Sequence, residues 1–296
     1  TNPEQFIKIV RALEPTYAGN NLEDIKAPEC FTIESKLKEK MNNPVMHDDQ
    51  HGTAIIVGAA LMNGIKVAEK KIEAIKLVCS GAGAAALACL DLIVKLGVKK
   101  ENIFVSDIAG VIYDGRSEEI NEYNVKYAQK TDARTLGDVI EEADVFLGVS
   151  APGVLKPEMV EKMADKPLIM ALANPTPEIL PEEAKKVRPD AVIATGRSDY
   201  PNQVNNVLCF PFLFRGALDV GATAINDEMK MACVRALAEL AHVESDETVV
   251  RAYGLQELNF GPDYLIPKPF DPRLLVELAP AVARAAMDLS LIHISA

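Results

Sequence analysis

Residues Ile75 to Gly97 read IKLVCSGAGAAALACLDLIVKLG. An apolar run ends at Ser80, glycines stand at 81 and 83, and an alanine- and leucine-rich segment with helical spacing follows at once. That order spells strand, tight turn, helix. Gly81 allows the sharp reversal, Gly83 leaves the backbone bare where an anion approaches, and Ala86 lets the helix lie close on the strand. The unpaired N–H groups of the helix start then face the anion.

A GxGxxA pattern alone arises by chance in alanine-rich sequence, so its surroundings decide its meaning. Here an apolar strand precedes it, a helix follows, and a second strand, Asn102 to Ser106, ends in Asp107, an acid placed to accept from a ribose hydroxyl. Gly81, Ala82, Gly83, Ala86 and Asp107 are therefore expected to bind a dinucleotide. Farther on, apolar strands are expected at 145–149, 168–172 and 191–195, with helices at 157–164 and 181–187 between them. Two polar helices are expected earlier, at 117–129 and 136–142. The alternation means an α/β fold with a doubly wound parallel sheet of Rossmann type. Ligands of such sheets lie beyond the carboxyl ends of the strands, here Ser80–Gly83, Ser106–Asp107, Ser150–Gly153, Ala173–Pro175 and Thr195–Asp199.

Ahead of this sheet the chain reads as part of a smaller, mainly helical domain. Amphipathic helices are expected at 3–14 and 26–41, a short strand at Val45–Met46, and a buried helix at 54–62. Glu23, Asp24 and Asp49 come from separate turns, and hard cations such as Mg2+ or Mn2+ choose carboxylate oxygens of that kind. The same acids would also suit helix starts. His47 and His51 have the spacing of a zinc pair, yet Gly52 and the preceding strand speak against a continuous helix there. Asn202, Gln203, Asn205 and Asn206 crowd amides before an apolar segment, where each needs a partner. Helices at 226–243 and 271–289 close the chain.

The 296 residues carry a net charge of −12, which argues against nucleic acid or an anionic membrane as partner. The five cysteines have no paired or metal-type spacing and read as reduced thiols, which suggests the cytoplasm. The chain opens at Thr1 without methionine and is expected to be a piece of a larger protein. Residues 291–296 break the pattern of the preceding helix and are expected to be a non-native or junction tail.

Taken together, LEDI, HDDQHGTA, SGAGAAA, ALANPTPE, TGRSDYPNQVNNVLCFP and RGALDVGATAIN, in that order, resemble the malic enzymes, in particular the bacterial type. The resemblance runs from the first residues to about Ser290. It implies a division into residues 1–52, the end of a metal- and substrate-binding domain, and 53–290, the NAD(P)-binding domain. It also implies oxidative decarboxylation of malate to pyruvate and CO2, with a homo-oligomer as the full-length form. By the same resemblance Glu23, Asp24 and Asp49 hold Mg2+ or Mn2+, and Asp48 partners the catalytic lysine. Asn174 and Asn206 bond the substrate carboxylate, with Asn174 also beside the cofactor. The family's catalytic tyrosine and lysine have no match in this sequence, so the chain is expected to turn over slowly or not at all. Asp107 leans the cofactor choice toward NAD over NADP, because it would repel a 2′-phosphate. Two other readings stand beside this one: a metal-free NAD-dependent dehydrogenase, and a non-catalytic dinucleotide-binding or association module.

Overall fold

The structure, a computed structural model, describes residues 2–245, 247–254 and 257–288. The expected tail at 291–296 lies outside the described residues. Helix α1 (Pro3–Leu13) starts with proline in its first turn and with the Asn2 side chain accepting from the Glu4 N–H at 3.0 Å. Strand β1 (Asn20–Leu22), helix α2 (Glu29–Lys40) and strand β2 (Val45–His47) follow, the two strands pairing in parallel with Leu22 opposite His47. Ile7, Leu22, Ile33, Leu37, Met41 and Val45 form a small core between them.

Helix α3 (Asp48–Val67) is longer than the expected 54–62 and runs straight through Gly52. A helical glycine costs about 1 kcal/mol against alanine. Here it is required, because a Cβ at 52 would collide with the folded-back carboxylate of Asp48. Toward the other end, a Cβ on Gly64 would stand 2.6 Å from Leu168, so that glycine allows close packing of helix on strand.

Next come β3 (Leu77–Ser80), α4 (Ala84–Leu96), β4 (Ile103–Asp107), β5 (Gly110–Val111), α5 (Leu136–Ile140) and β6 (Val145–Gly148). After them stand α6 (Pro157–Val160), β7 (Leu168–Ala171), α7 (Pro181–Val187) and β8 (Val192–Thr195). The sheet order is β5-β4-β3-β6-β7-β8. Five strands are parallel, and β5 is an antiparallel edge strand hairpinned onto β4. Strands β3, β6, β7 and β8 are buried along their whole length, as expected when helices cover both faces. Val78, Phe146 and Ile169 pack with Val139, Ile140, Val160 and Ala184 under one face.

The helix expected over 117–129 is absent. Only a single 3-10 turn, Val125–Tyr127, forms there, because Asn121 and Asn124 side chains bond nearby main-chain groups and hold a run of turns instead. Helix α6 ends at Val160, short of the expected Ala164. The chain closes with α8 (Phe210–Asp219), α9 (Asp227–Leu240), α10 (Glu247–Ala252) and α11 (Arg273–Asp288). Asn226 caps α9 by accepting from the Met229 N–H at 2.9 Å.

Two compact units result. One comprises Thr1–Ala59, Asn205–Asn259 and Pro267–Ala296, and the other Ala60–Val204 with Phe260–Ile266. The second holds the six-stranded sheet. None of the helices among the described residues is long and apolar enough to cross a membrane.

Candidate active site

In the sheet unit, the register aligns Ser80 with Ser106 and Gly148, Gly148 with Ala171, and Ala171 with Thr195, so the carboxyl ends of the parallel strands share one edge. The strand order reverses between β3 and β6, which is where such sheets open a crevice. Gly81 turns at that point with φ +114°, and a Cβ there would stand 2.6 Å from the Val149 carbonyl oxygen. Its N–H donates to the Ser106 carbonyl at 2.8 Å. Gly83 differs. It has φ −79°, starts α4 without a side-chain cap, and a Cβ on it would meet nothing within 4 Å. Nothing in the protein's own packing calls for glycine at 83, so the bare backbone and the uncapped N–H groups of α4 suit an incoming anion. Ala82 is half-buried, and Ala86 is buried in the first turn of α4.

Asp107 ends β4 with both carboxylate oxygens engaged. Oδ1 accepts from the Ala109 N–H at 2.8 Å, and Oδ2 pairs with the Arg116 guanidinium. Arg116 is itself buried, donating also to the carbonyls of Gly110, Val111 and Glu118 at 2.7, 3.0 and 2.8 Å. The acid's charge is thus offset by a fixed cation, which weakens the electrostatic case against a 2′-phosphate. Asn174 stands exposed just beyond β7, before a cis bond to Pro175.

In the other unit, Glu23 and Asp24 follow β1 and are exposed, while Asp48 and Asp49 open α3. Asp24 takes the left-handed φ of 57°, and its N–H donates to Asp49 Oδ2 at 2.9 Å. Asp48 is buried, with Oδ2 accepting from Asn206 Nδ2 at 2.7 Å and Oδ1 lacking any partner. Burial first, then the charges of Glu23 and Asp49, push the Asp48 carboxyl up to about 7. Among the described residues, no group of three or more His, Cys, Asp or Glu is already arranged to hold a metal ion. Glu23, Asp24 and Asp49 themselves offer only oxygen donors, as a hard cation requires.

His47 is fully buried beside them with neither ring nitrogen bonded. His51 belongs to a separate network around Glu34, donating from Nε2 to Oε1 at 2.8 Å while its Nδ1 lies 3.3 Å from Lys230 Nζ. Glu34 also accepts from Lys38 at 2.6 Å and from the His47 N–H at 3.1 Å. Burial alone would raise the Glu34 carboxyl; the bonds from His51 and Lys38 outweigh it and hold it at about 2. The same burial lowers His51 and Lys230.

The family model described as "Malic enzyme, NAD binding domain" matches residues 50–253 of this chain. The chain belongs to the malic enzyme family. It is 67% identical over 288 residues to an NADP-dependent malic enzyme of Escherichia coli strain K12, which covers 97% of this chain and 38% of that relative. To an NAD-dependent malic enzyme of Rhizobium meliloti strain 1021 it is 62% identical over 285 residues, 96% of this chain and 37% of the relative. The solved NAD-dependent malic enzyme of Thermotoga maritima matches with a TM-score of 0.85 at 40% identity, over 95% of this chain and 71% of that one. The chain therefore spans less than half the length of those two curated relatives.

Within this malic enzyme sequence, Glu34, Lys230 and Glu178 escaped the reading from sequence. Glu34 could have been found, since it falls on the apolar stripe of α2 with Cys30, Ile33 and Leu37, where a charge needs a reason. Lys230 lies likewise among the buried residues of α9. Glu178 carries no such signal, because it sits in a proline-rich turn that reads as solvent-exposed.

Proposed function

We propose that this chain carries the dinucleotide-binding part, and much of the metal- and substrate-binding part, of an enzyme that oxidatively decarboxylates malate to pyruvate and CO2. Family membership supports the reaction class, and a division into residues 1–52 and 53–290 is part of the proposal. The single observation that carries the reading is the acid cluster around α3, where Asp48 Oδ1 is buried without a partner beside Glu23, Asp24 and Asp49. An unpartnered buried carboxylate oxygen among further acids fits a neighbouring cation.

On this reading Glu23, Asp24 and Asp49 would hold Mg2+ or Mn2+. Asp48 would face the ammonium group of a catalytic lysine, with Asn206 fixing its carboxylate through the 2.7 Å bond. Asn206 and the exposed Asn174 would donate to the substrate carboxylate. The N–H groups from Gly81 to Ala86 would receive the pyrophosphate, and the remaining lone pairs of Asp107 a ribose hydroxyl. Held by these residues, the dinucleotide would supply a hydride acceptor and the divalent ion a Lewis acid toward the substrate's oxygen. Both NAD and NADP remain in play, since relatives of each kind match and Arg116 offsets the charge of Asp107. No residue of this chain matches the family's catalytic tyrosine and lysine, so slow or absent turnover by the chain alone is part of the proposal. So are the cytoplasmic location, which five free, buried cysteines suit, and a homo-oligomeric full-length protein.

The test is calorimetric titration with NAD and NADP, each with and without Mn2+ and malate. Dinucleotide binding strengthened by metal plus malate is expected, and Asp49→Asn should abolish the strengthening while leaving dinucleotide binding itself intact. Equal binding with and without metal in the unsubstituted chain would overturn the metal assignment.

A further inference from the structure

Glu178 is fully buried at the carboxyl edge of the sheet. It lies against Gly148, where any side chain would collide with it. Its Oε1 accepts from the Ser150 N–H at 2.8 Å and from the Ser150 hydroxyl at 3.3 Å, and its Oε2 accepts from the Ala173 N–H at 3.0 Å. A carboxylate only accepts, so the Ser150 hydrogen points to Glu178, and the Ser80 hydroxyl, 2.8 Å from Ser150 Oγ, donates into Ser150. One side chain thereby ties together the ends of β3, β6 and β7. Its donors are two main-chain N–H groups and a hydroxyl, a set suited to fixing loops.

The three segments it joins follow the carboxyl ends of their strands, where ligands of such sheets lie. Asp107 ends β4 on one side of β3, and β6 and β7 lie on the other. A dinucleotide whose adenosine ribose rests on Asp107 and whose pyrophosphate crosses the turn at Gly81–Gly83 must extend its second half over the ends of β6 and β7. Ala173, which Glu178 holds, immediately precedes Asn174.

We infer that Glu178 is a positioning residue that sets the loops after β6 and β7, and their link to Ser80, in the geometry that receives the nicotinamide half of the dinucleotide. This rests on the dinucleotide-binding reading above. Replacing Glu178 by glutamine keeps its size but turns an NH2 group toward one of the N–H donors it now accepts from, releasing one loop.

The test titrates the 296-residue chain with NAD, NADP and adenosine 5′-diphosphate, which has the adenosine and phosphates but no nicotinamide half. Glu178→Gln should weaken the dinucleotide at least about tenfold, the value of one charge-assisted hydrogen bond. The diphosphate should stay within about twofold, since its contacts on β3 and β4 are retained. Amide exchange should quicken at 149–153 and 172–176 and not within β6 or β7. Ser150→Ala, which keeps the main-chain bond to Glu178, carries the test if the glutamine variant does not fold, with a smaller loss of the same pattern. An unsubstituted chain that binds neither dinucleotide overturns the dinucleotide reading and this role with it. A chain that binds a dinucleotide equally well in both variants, or variants that lose the diphosphate as much as the dinucleotide, overturns the positioning role alone.

Discussion

Gly81 and Gly83 look alike in sequence, and the structure gives them different backbone angles and surroundings. Gly81 has φ +114°, and its missing Cβ would stand 2.6 Å from a main-chain oxygen. Gly81→Ala therefore incurs the left-handed penalty of about 1–2 kcal/mol. It adds overlap with the Val149 carbonyl worth roughly 1–2 kcal/mol more. The sum, about 2–4 kcal/mol, corresponds to a fall in Tm of roughly 4–16 °C for a unit of this size. Gly83 has φ −79° and open space where a Cβ would go. There the reduced freedom of the unfolded chain favours alanine by about 0.4–1 kcal/mol, and the helix-start preference for glycine opposes it by a similar amount. Gly83→Ala should leave Tm within about 3 °C, and it should weaken dinucleotide binding at least about tenfold, because the methyl occupies the approach of the pyrophosphate. Differential scanning calorimetry and isothermal titration on the two variants give both quantities. A Gly83→Ala variant that destabilises as much as Gly81→Ala, or that binds dinucleotide unchanged, would refute the reasoning.

Arg116→Ala should destabilise the sheet unit by about 3–5 kcal/mol, since it strands the buried side of Asp107 and three carbonyls. In whatever fraction folds, the NADP-to-NAD affinity ratio should fall, as the charge of Asp107 is no longer offset; an unchanged ratio in paired titrations would contradict that. Glu34 has its folded pKa held at about 2, below the ordinary 4.5, so its contribution is fully present above pH 4.5 and is lost as pH falls through 2. Glu34→Gln should therefore cost about 2–3 kcal/mol at neutral pH, and denaturant melts should show the gap from the unsubstituted chain closing between pH 4.5 and 2. A gap constant over that range would mean that packing, not the bonds from His51 and Lys38, is what the substitution removes.

Neighbouring residues were enough to read the glycine turn at 81–83 and the sheet around it. Strand β3, the glycines and α4 are contiguous, and their hydrogen bonds run between near neighbours or along a strand whose apolar run announces burial. The expected helix over 117–129 failed for an equally local reason, the capture of main-chain groups by Asn121 and Asn124, which composition does not reveal. The two-residue strand β5 is defined by pairing with β4 and has no period of its own.

Family motifs pointed to Asp48, Asp49 and Asn206 one by one, while what each of them touches was set by the fold. Asp48 meets Asn206 from 158 positions away, and Lys230 meets His51 from 179. Gly52, a poor helix former, sits inside a helix, where the Asp48 carboxylate fills the space a side chain would take. Glu178 reads as a turn residue and is a buried tie between three loops. The sequence by itself determined most of the helices and strands, the α/β class and the glycine turn at 81–83, because these follow from short-range periodicity and from which backbone angles a residue tolerates. Only the tertiary structure decided which polar groups are buried and who satisfies them, because the free energy of a buried charge depends on partners that the chain brings together only by folding.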